Sequence, residues 1–117
     1  MQQSGQRNIR HVPYYVRRTL SPNSPVQTEE IYEDASKGLR TYGRAGYIYC
    51  EGPDSIEINI YDGKEWSGWI LLNSGEGINI FYEDNIWIYR IRVKPGKNEK
   101  TTYVIAISPG LEQEGGE

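Results

Sequence analysis

The chain has 117 residues, with thirteen Lys and Arg against sixteen Asp and Glu, one His, one Cys and a mean hydropathy of −0.70. No apolar run approaches the about 18 residues of a membrane-spanning helix, and Met1–Arg10 lacks the apolar core of a secretory signal, so neither membrane nor export is expected. Cys50 alone cannot form an internal disulfide, and His11 alone leaves few His-based triads or His/Cys metal clusters, so the reading is a non-enzyme with no cofactor and no metal.

Ten Tyr and three Trp against one Phe, with Ile in most alternating segments, is strand composition. Thirteen Gly and six Pro punctuate short segments at turn spacing, which predicts one all-β domain, a small antiparallel β-sandwich or jelly roll with an extended N-terminal arm.

Residues 1–28 read as that arm. Arg7, Arg10, Arg17 and Arg18 give residues 1–20 a charge of +4 without an acid, leaving −7 for the rest. Neither strand nor helix periodicity shows there, and Ser21–Pro25 supports no regular element. Val12, Pro13, Tyr14 and Tyr15 form an apolar patch that a purely solvated tail does not need. Arg10, Val12, Pro13, Tyr14, Tyr15, Arg17 and Arg18 are therefore the candidate partner-binding residues, the arginines pairing with acids of a partner.

Residues 29–38 read as a connector, either a short helix capped by Thr28 or an edge strand through Gln27–Tyr32. The body spans 39–108. Tyr47–Glu51 is a strand, with Cys50 on the parity of Ile48 and hence a buried structural thiol. Ile56, Ile58 and Ile60 alternate with Glu57, Asn59 and Tyr61, one face core and one wet. Asp62–Gly63 predicts a two-residue hairpin with Gly63 at positive φ, returning through Trp66–Leu72. Asn73–Gly77 is a looser turn into Ile78–Tyr82. In Ile86–Val93, Trp87, Tyr89, Ile91 and Val93 share one face, opposite Arg90 and Arg92. Pro95–Gly96 suits a type II turn. Thr101–Ser108, apolar on both faces, predicts a central strand. Residues 109–117 are an acidic tail.

Tyr61, Trp66 and Trp69 surround the hairpin and are candidate ligand-stacking residues for a carbohydrate. Trp66 and Trp69 have opposite strand parity, which predicts that at least one packs in the core. Tyr14, Tyr15, Arg17 and Arg18 combine aromatics with cations, but four cations beside a body at −7 do not make a nucleic-acid binder. The acids Asp54, Asp62, Glu65, Glu83 and Asp84 fall at turns without the spacing of a calcium loop.

The order Ile56-Glu57-Ile58-Asn59-Ile60, then Ile70 through Ile80 across Ser74-Gly75-Glu76-Gly77, then Trp87-Ile88-Tyr89-Arg90-Ile91-Arg92-Val93 and Val104–Ile107 resembles small β-domains of tailed-phage virion proteins. About half the chain carries the likeness. It implies a capsid decoration or cement protein on the virion surface, or a head-tail or tail accessory protein. The implied partners are the major capsid protein or other virion subunits, in a homo-oligomer such as a trimer, with no catalytic residue to carry over.

Overall fold

The computed structural model describes residues 13–32 and 42–109, and holds eight strands among them. They are β1 (Tyr14–Leu20), β2 (Gln27–Glu30), β3 (Gly43–Pro53), β4 (Ile56–Tyr61), β5 (Ile70–Leu72), β6 (Gly77–Ile80), β7 (Arg90–Pro95) and β8 (Thr101–Pro109). Two four-stranded antiparallel sheets result, ordered β1-β8-β3-β6 and β2-β7-β4-β5. First pairs with last, second with seventh, third with sixth and fourth with fifth. One long hairpin rolled upon itself gives this order, the winding of a jelly roll.

Between the sheets lie the inward residues of both. Ile48, Cys50, Tyr103, Ile105 and Ile107 from the first sheet meet Ile56, Ile58, Ile91 and Val93 from the second. Strand β8 is central, as its two-sided apolar pattern requires, and the Cys50 thiol is buried, its Sγ 3.3 Å from the Asp54 carbonyl.

The described part of the expected arm is not an arm. Tyr14–Leu20 is an edge strand paired along its whole length with Thr101–Ile107, and Leu20 enters the core. Its inward side carries Tyr14, Val16, Arg18 and Leu20, a period of two that the charges of Arg17 and Arg18 conceal. Ser21–Pro25 turns the chain over the end of the roll, and Gln27–Glu30 then pairs with β7, which resolves the connector's start as an edge strand. The body boundary thus moves from Leu39 to about Tyr14. Residues 1–12, 33–41 and 110–117 lie outside the described residues, and with them the remaining connector and the acidic tail.

Three turns differ from expectation, and at two of them side-chain oxygens collect the main-chain N–H groups. The two-residue hairpin is a four-residue loop, Asp62–Glu65, closed by a Tyr61–Trp66 bridge. Asp62 Oδ1 accepts the N–H groups of Lys64 and Glu65 at 2.8 and 2.9 Å, and Gly63 keeps its positive φ of 99°. The return strand shrinks to Ile70–Leu72, because Ser67 Oγ accepts the Ile60 N–H and Asn59 Oδ1 accepts the Gly68 N–H. Gly96 lacks the positive φ of a type II turn; instead the Asp54 carboxylate gathers the N–H groups of Asn98 and Glu99. Nor is Gly77 at a loose turn: it opens β6, where an added Cβ would sit 2.7 Å from the Ile48 carbonyl oxygen.

Candidate functional site

The roll has two ends. At one lie the β1–β2, β3–β4, β5–β6 and β7–β8 connections, tied together by Asp54 and by the Asn23 N–H on the Gly96 carbonyl. At the other lie the 62–69 and 81–89 loops, Tyr32, Tyr42 and the start of β1. Aromatic side chains concentrate at this second end, where Tyr42 stacks on Trp87 at 4.3 Å and Tyr32 lies 4.9 Å from Tyr89. Tyr61 continues the chain of rings, 6.3 Å from Tyr89 and 4.9 Å from Trp66.

The segment Phe81–Trp87 forms the tip. Asp84 Oδ2 accepts the Phe81 N–H at 2.8 Å, a 3₁₀ turn runs over Tyr82–Asp84, and Asn85 closes it at φ 57°. Behind the tip stands Arg44, 7% exposed. Its guanidinium lies 4.4 Å from the Tyr82 ring centre and 4.9 Å from that of Trp87, and Nη2 donates to Asn85 Oδ1 at 3.0 Å. Its Nε has no hydrogen-bond partner among the described residues. A buried cation therefore fixes a loop whose Phe81, Tyr82, Ile86 and Trp87 face solvent, Phe81 at 59%.

Here the expected face assignment fails for two residues. Trp87 and Tyr89 do not share the core face; Ile88 is buried instead, bridged to Gly43. The chain bends at Tyr89, whose carbonyl takes the N–H groups of both Ile31 and Tyr32, so alternation restarts one residue out of phase at Arg90.

Tyr61, Trp66 and Trp69 do come together, on the outer face of the second sheet. Neither Trp packs in the core, because 66–69 is irregular and strand parity does not apply to it. Each of the three rings meets a cation of β7: Arg90 lies 5.3 Å over Tyr61, Arg92 4.4 Å over Trp66 and Lys94 4.3 Å over Trp69. Trp69 stays 41% exposed.

The expected partner-binding residues divide. Arg10 and Val12 lie outside the described residues. Pro13 and Tyr15 are exposed. Tyr14, Arg17 and Arg18, however, are engaged within the chain and not with a partner. Arg17 pairs with Glu51 in two hydrogen bonds of 2.9 and 2.7 Å. Arg18 grips both oxygens of Glu29 at 2.6 and 2.9 Å, and the hydroxyls of Tyr14 and Tyr103 donate to the same carboxylate. Glu29 is 1% exposed. Burial pushes its pKa up, but the donors from Arg18, Tyr103 and Tyr14 outweigh that and hold the carboxyl below its ordinary range. Burial and the bond to Glu29 push Tyr14 up to about 12, and Tyr103 rises for the same reasons. Glu29 comes from the second sheet and its donors from the first, so the cluster bolts the two together.

Sequence reasoning missed Glu29, Arg44 and the 81–87 tip. The two acids of Thr28-Glu29-Glu30 looked like a helix start, and only the pairing of β2 shows that one of them must point inward. No protein-family model, curated protein or solved structure matches the chain significantly.

Proposed function

We propose that the protein is a non-catalytic structural protein of a bacteriophage virion, a capsid decoration or cement protein that seats on neighbouring shell subunits through its loop end. The carrying observation is the 81–87 tip: four large apolar side chains held outward by Arg44 and by the Asp84 cap. Apolar side chains clustered on a stiffened surface mark a protein-binding site, and burying them supplies most of the attachment. The jelly roll supports the reading by analogy alone, since the winding is used by viral capsid domains and by lectins. A symmetric set of copies, such as a trimer, belongs to the same proposal. Attachment here rests on the sandwich itself, because Tyr14, Arg17 and Arg18 are engaged internally.

Co-sedimentation with capsid shells of the encoding phage tests this. The full chain is expected to pellet with shells, and Phe81→Ser with Ile86→Ser, both exposed at the tip, to stay in the supernatant while its thermal unfolding is unchanged. Equal pelleting of both would sink the proposal.

A carbohydrate-binding module is the second reading, favoured by Tyr61, Trp66 and Trp69 on one sheet face with Trp69 open to solvent. Glycan binding lost on Trp69→Ala, with shell binding absent, would favour it over decoration.

A further inference from the structure

A cleft of about 550 Å³ opens along the side of the roll between β5 and β6, the edge strands of the two sheets on that side. Its floor is apolar: Ile60, Ile70 and Ile78 are only partly covered, beside buried Ile80. Its rim at the loop end is acidic, with Asp62, Glu65 and Asp84 along it, and no Lys or Arg lines the cleft among the described residues. Among those residues, too, nothing pairs with the outer side of β6, which bonds to β3 alone.

The opposite side of the roll is built differently. There the edge strands β1 and β2 carry Arg17, Arg18, Glu29 and Glu30, and Arg18 and Glu29 join across the two sheets. Charges on an edge oppose the addition of a further strand. Strands β5 and β6 hold no charged residue, no proline and no bulge in their ladders. An unguarded edge beside an apolar groove is ground on which an extended peptide adds as a strand. Charge decides which occupant suits it. A second copy, pairing antiparallel on β6, would set its Gly77 beside Ile80 and bring its Glu76 toward the acidic rim, acid against acid. A segment that carries cations at that end meets the rim with opposite charge.

We propose that β6 accepts an extended segment of a partner protein, apolar at alternate positions and basic at the end that reaches the loops. Antiparallel pairing along the four residues of β6 lays the apolar side chains on Ile60, Ile70 and Ile78 and sets the N-terminal cations of the segment on Asp62, Glu65 and Asp84. The added strand widens the first sheet and closes the open side of the roll. This goes beyond shell attachment and fails separately from it: the cleft borders the 81–87 tip only at Asp84 and Ile86, and its test uses no shells.

Titration of the full chain with the acetylated peptide KRVTVTV, followed by amide hydrogen exchange and chemical shifts, tests this. Exchange at residues 77–80 is expected to slow as the peptide saturates, with shifts centred on β6 and the cleft floor. Two control peptides are expected to bind at least about fivefold more weakly: EEVTVTV, with its charge reversed, and KRVPPTV, whose prolines remove a main-chain donor in either register. Glu65→Lys, exposed at the rim, is expected to weaken KRVTVTV about two- to fivefold, the range of one exposed ion pair, and to strengthen EEVTVTV. Unchanged exchange at 77–80 with KRVTVTV overturns the proposal, as does equal binding of either control. So does protection at 77–80 that is present without peptide and falls on dilution, which would give the edge to a second copy. Shifts centred on Trp69 and β7 overturn it as well, because they would place the peptide on the outer face of the second sheet.

Discussion

Two clusters in this protein combine an arginine with aromatic rings, and they serve opposite ends. In one, Arg18, Tyr14 and Tyr103 converge on Glu29 between the sheets. In the other, Arg44 lies against Tyr82 and Trp87 behind the loop tip, and no carboxylate pairs with it among the described residues. The difference is the acceptor. A buried carboxylate collects every donor and turns the rings inward, so the cluster holds the fold. Without one, the cation lies on ring faces and the apolar edges around it stay outward, so the cluster shapes a surface.

Breaking the first cluster should cost most. Glu29→Ala leaves two tyrosine hydroxyls and a guanidinium without their acceptor, and removal of one partner from a buried charge pair typically costs about 3–5 kcal/mol. Arg18 keeps 40% of its side chain in water, which places the expected loss near the lower end, about 3 kcal/mol in denaturant melts. The pH dependence follows from the direction of the shift. Because Glu29 titrates below its ordinary 4.5 when folded, its stabilisation is present above about pH 4.5 and is lost as pH falls through the depressed value. Tyr14, raised to about 12, adds the mirror effect: its contribution is complete below pH 10 and fades as pH climbs toward 12. Glu29→Gln should therefore flatten the acid limb of the stability curve relative to the parent. A variant with the parent's acid limb would show that the carboxylate is no bolt.

The second cluster should yield a smaller, local effect. Arg44→Ala removes two cation–ring contacts and the bond to Asn85, each worth on the order of 1 kcal/mol or less, so a total of about 1–2 kcal/mol is expected. Hydrogen exchange at 81–88 should rise while that of β8 stays as in the parent. Exchange rising uniformly would mean that Arg44 supports the core and that the tip has no separate support.

How legible each region was follows from the same contrast. The central strands announce themselves: Ile56, Ile58 and Ile60, or Tyr103, Ile105 and Ile107, repeat with period two because their inward partners are all apolar. Strand β1 repeats as faithfully, yet two of its four inward positions are Tyr14 and Arg18, and an inward arginine becomes readable only once Glu29 is known to face it. The tip was hidden for another reason. Its residues are strand formers in an alternating run, and what removes them from the sheet is the Asp84 cap and the bend at Tyr89, both set by hydrogen bonds to residues distant in sequence or to main chain. The candidate stacking residues Tyr61, Trp66 and Trp69 were found by position, although not the cations of β7 that lie on their faces.

The smallest effect comes from the neighbouring arginines of β1, which share residue type, strand and sequence context and differ only in face. Arg17 points outward and meets Glu51 across the sheet surface with 58% of its side chain exposed; Arg18 points inward to a carboxylate that water does not reach. Exposed pairs gain little, because water solvates both partners and salt screens what remains, whereas the carboxylate of the inward pair has lost its solvent and depends on the geometry of its donors. Arg17→Ala should leave the denaturation midpoint where it was, at low salt and high salt alike, and Arg18→Ala should lower it clearly at both. Lys at the two positions sharpens the contrast: Arg17→Lys is silent, while Arg18→Lys loses the two-pronged grip on Glu29 and recovers only part of the loss. Equal midpoints for Arg17→Ala and Arg18→Ala would mean that β1 is held by its ladder to β8 alone, and that the carboxylate between the sheets adds nothing to it.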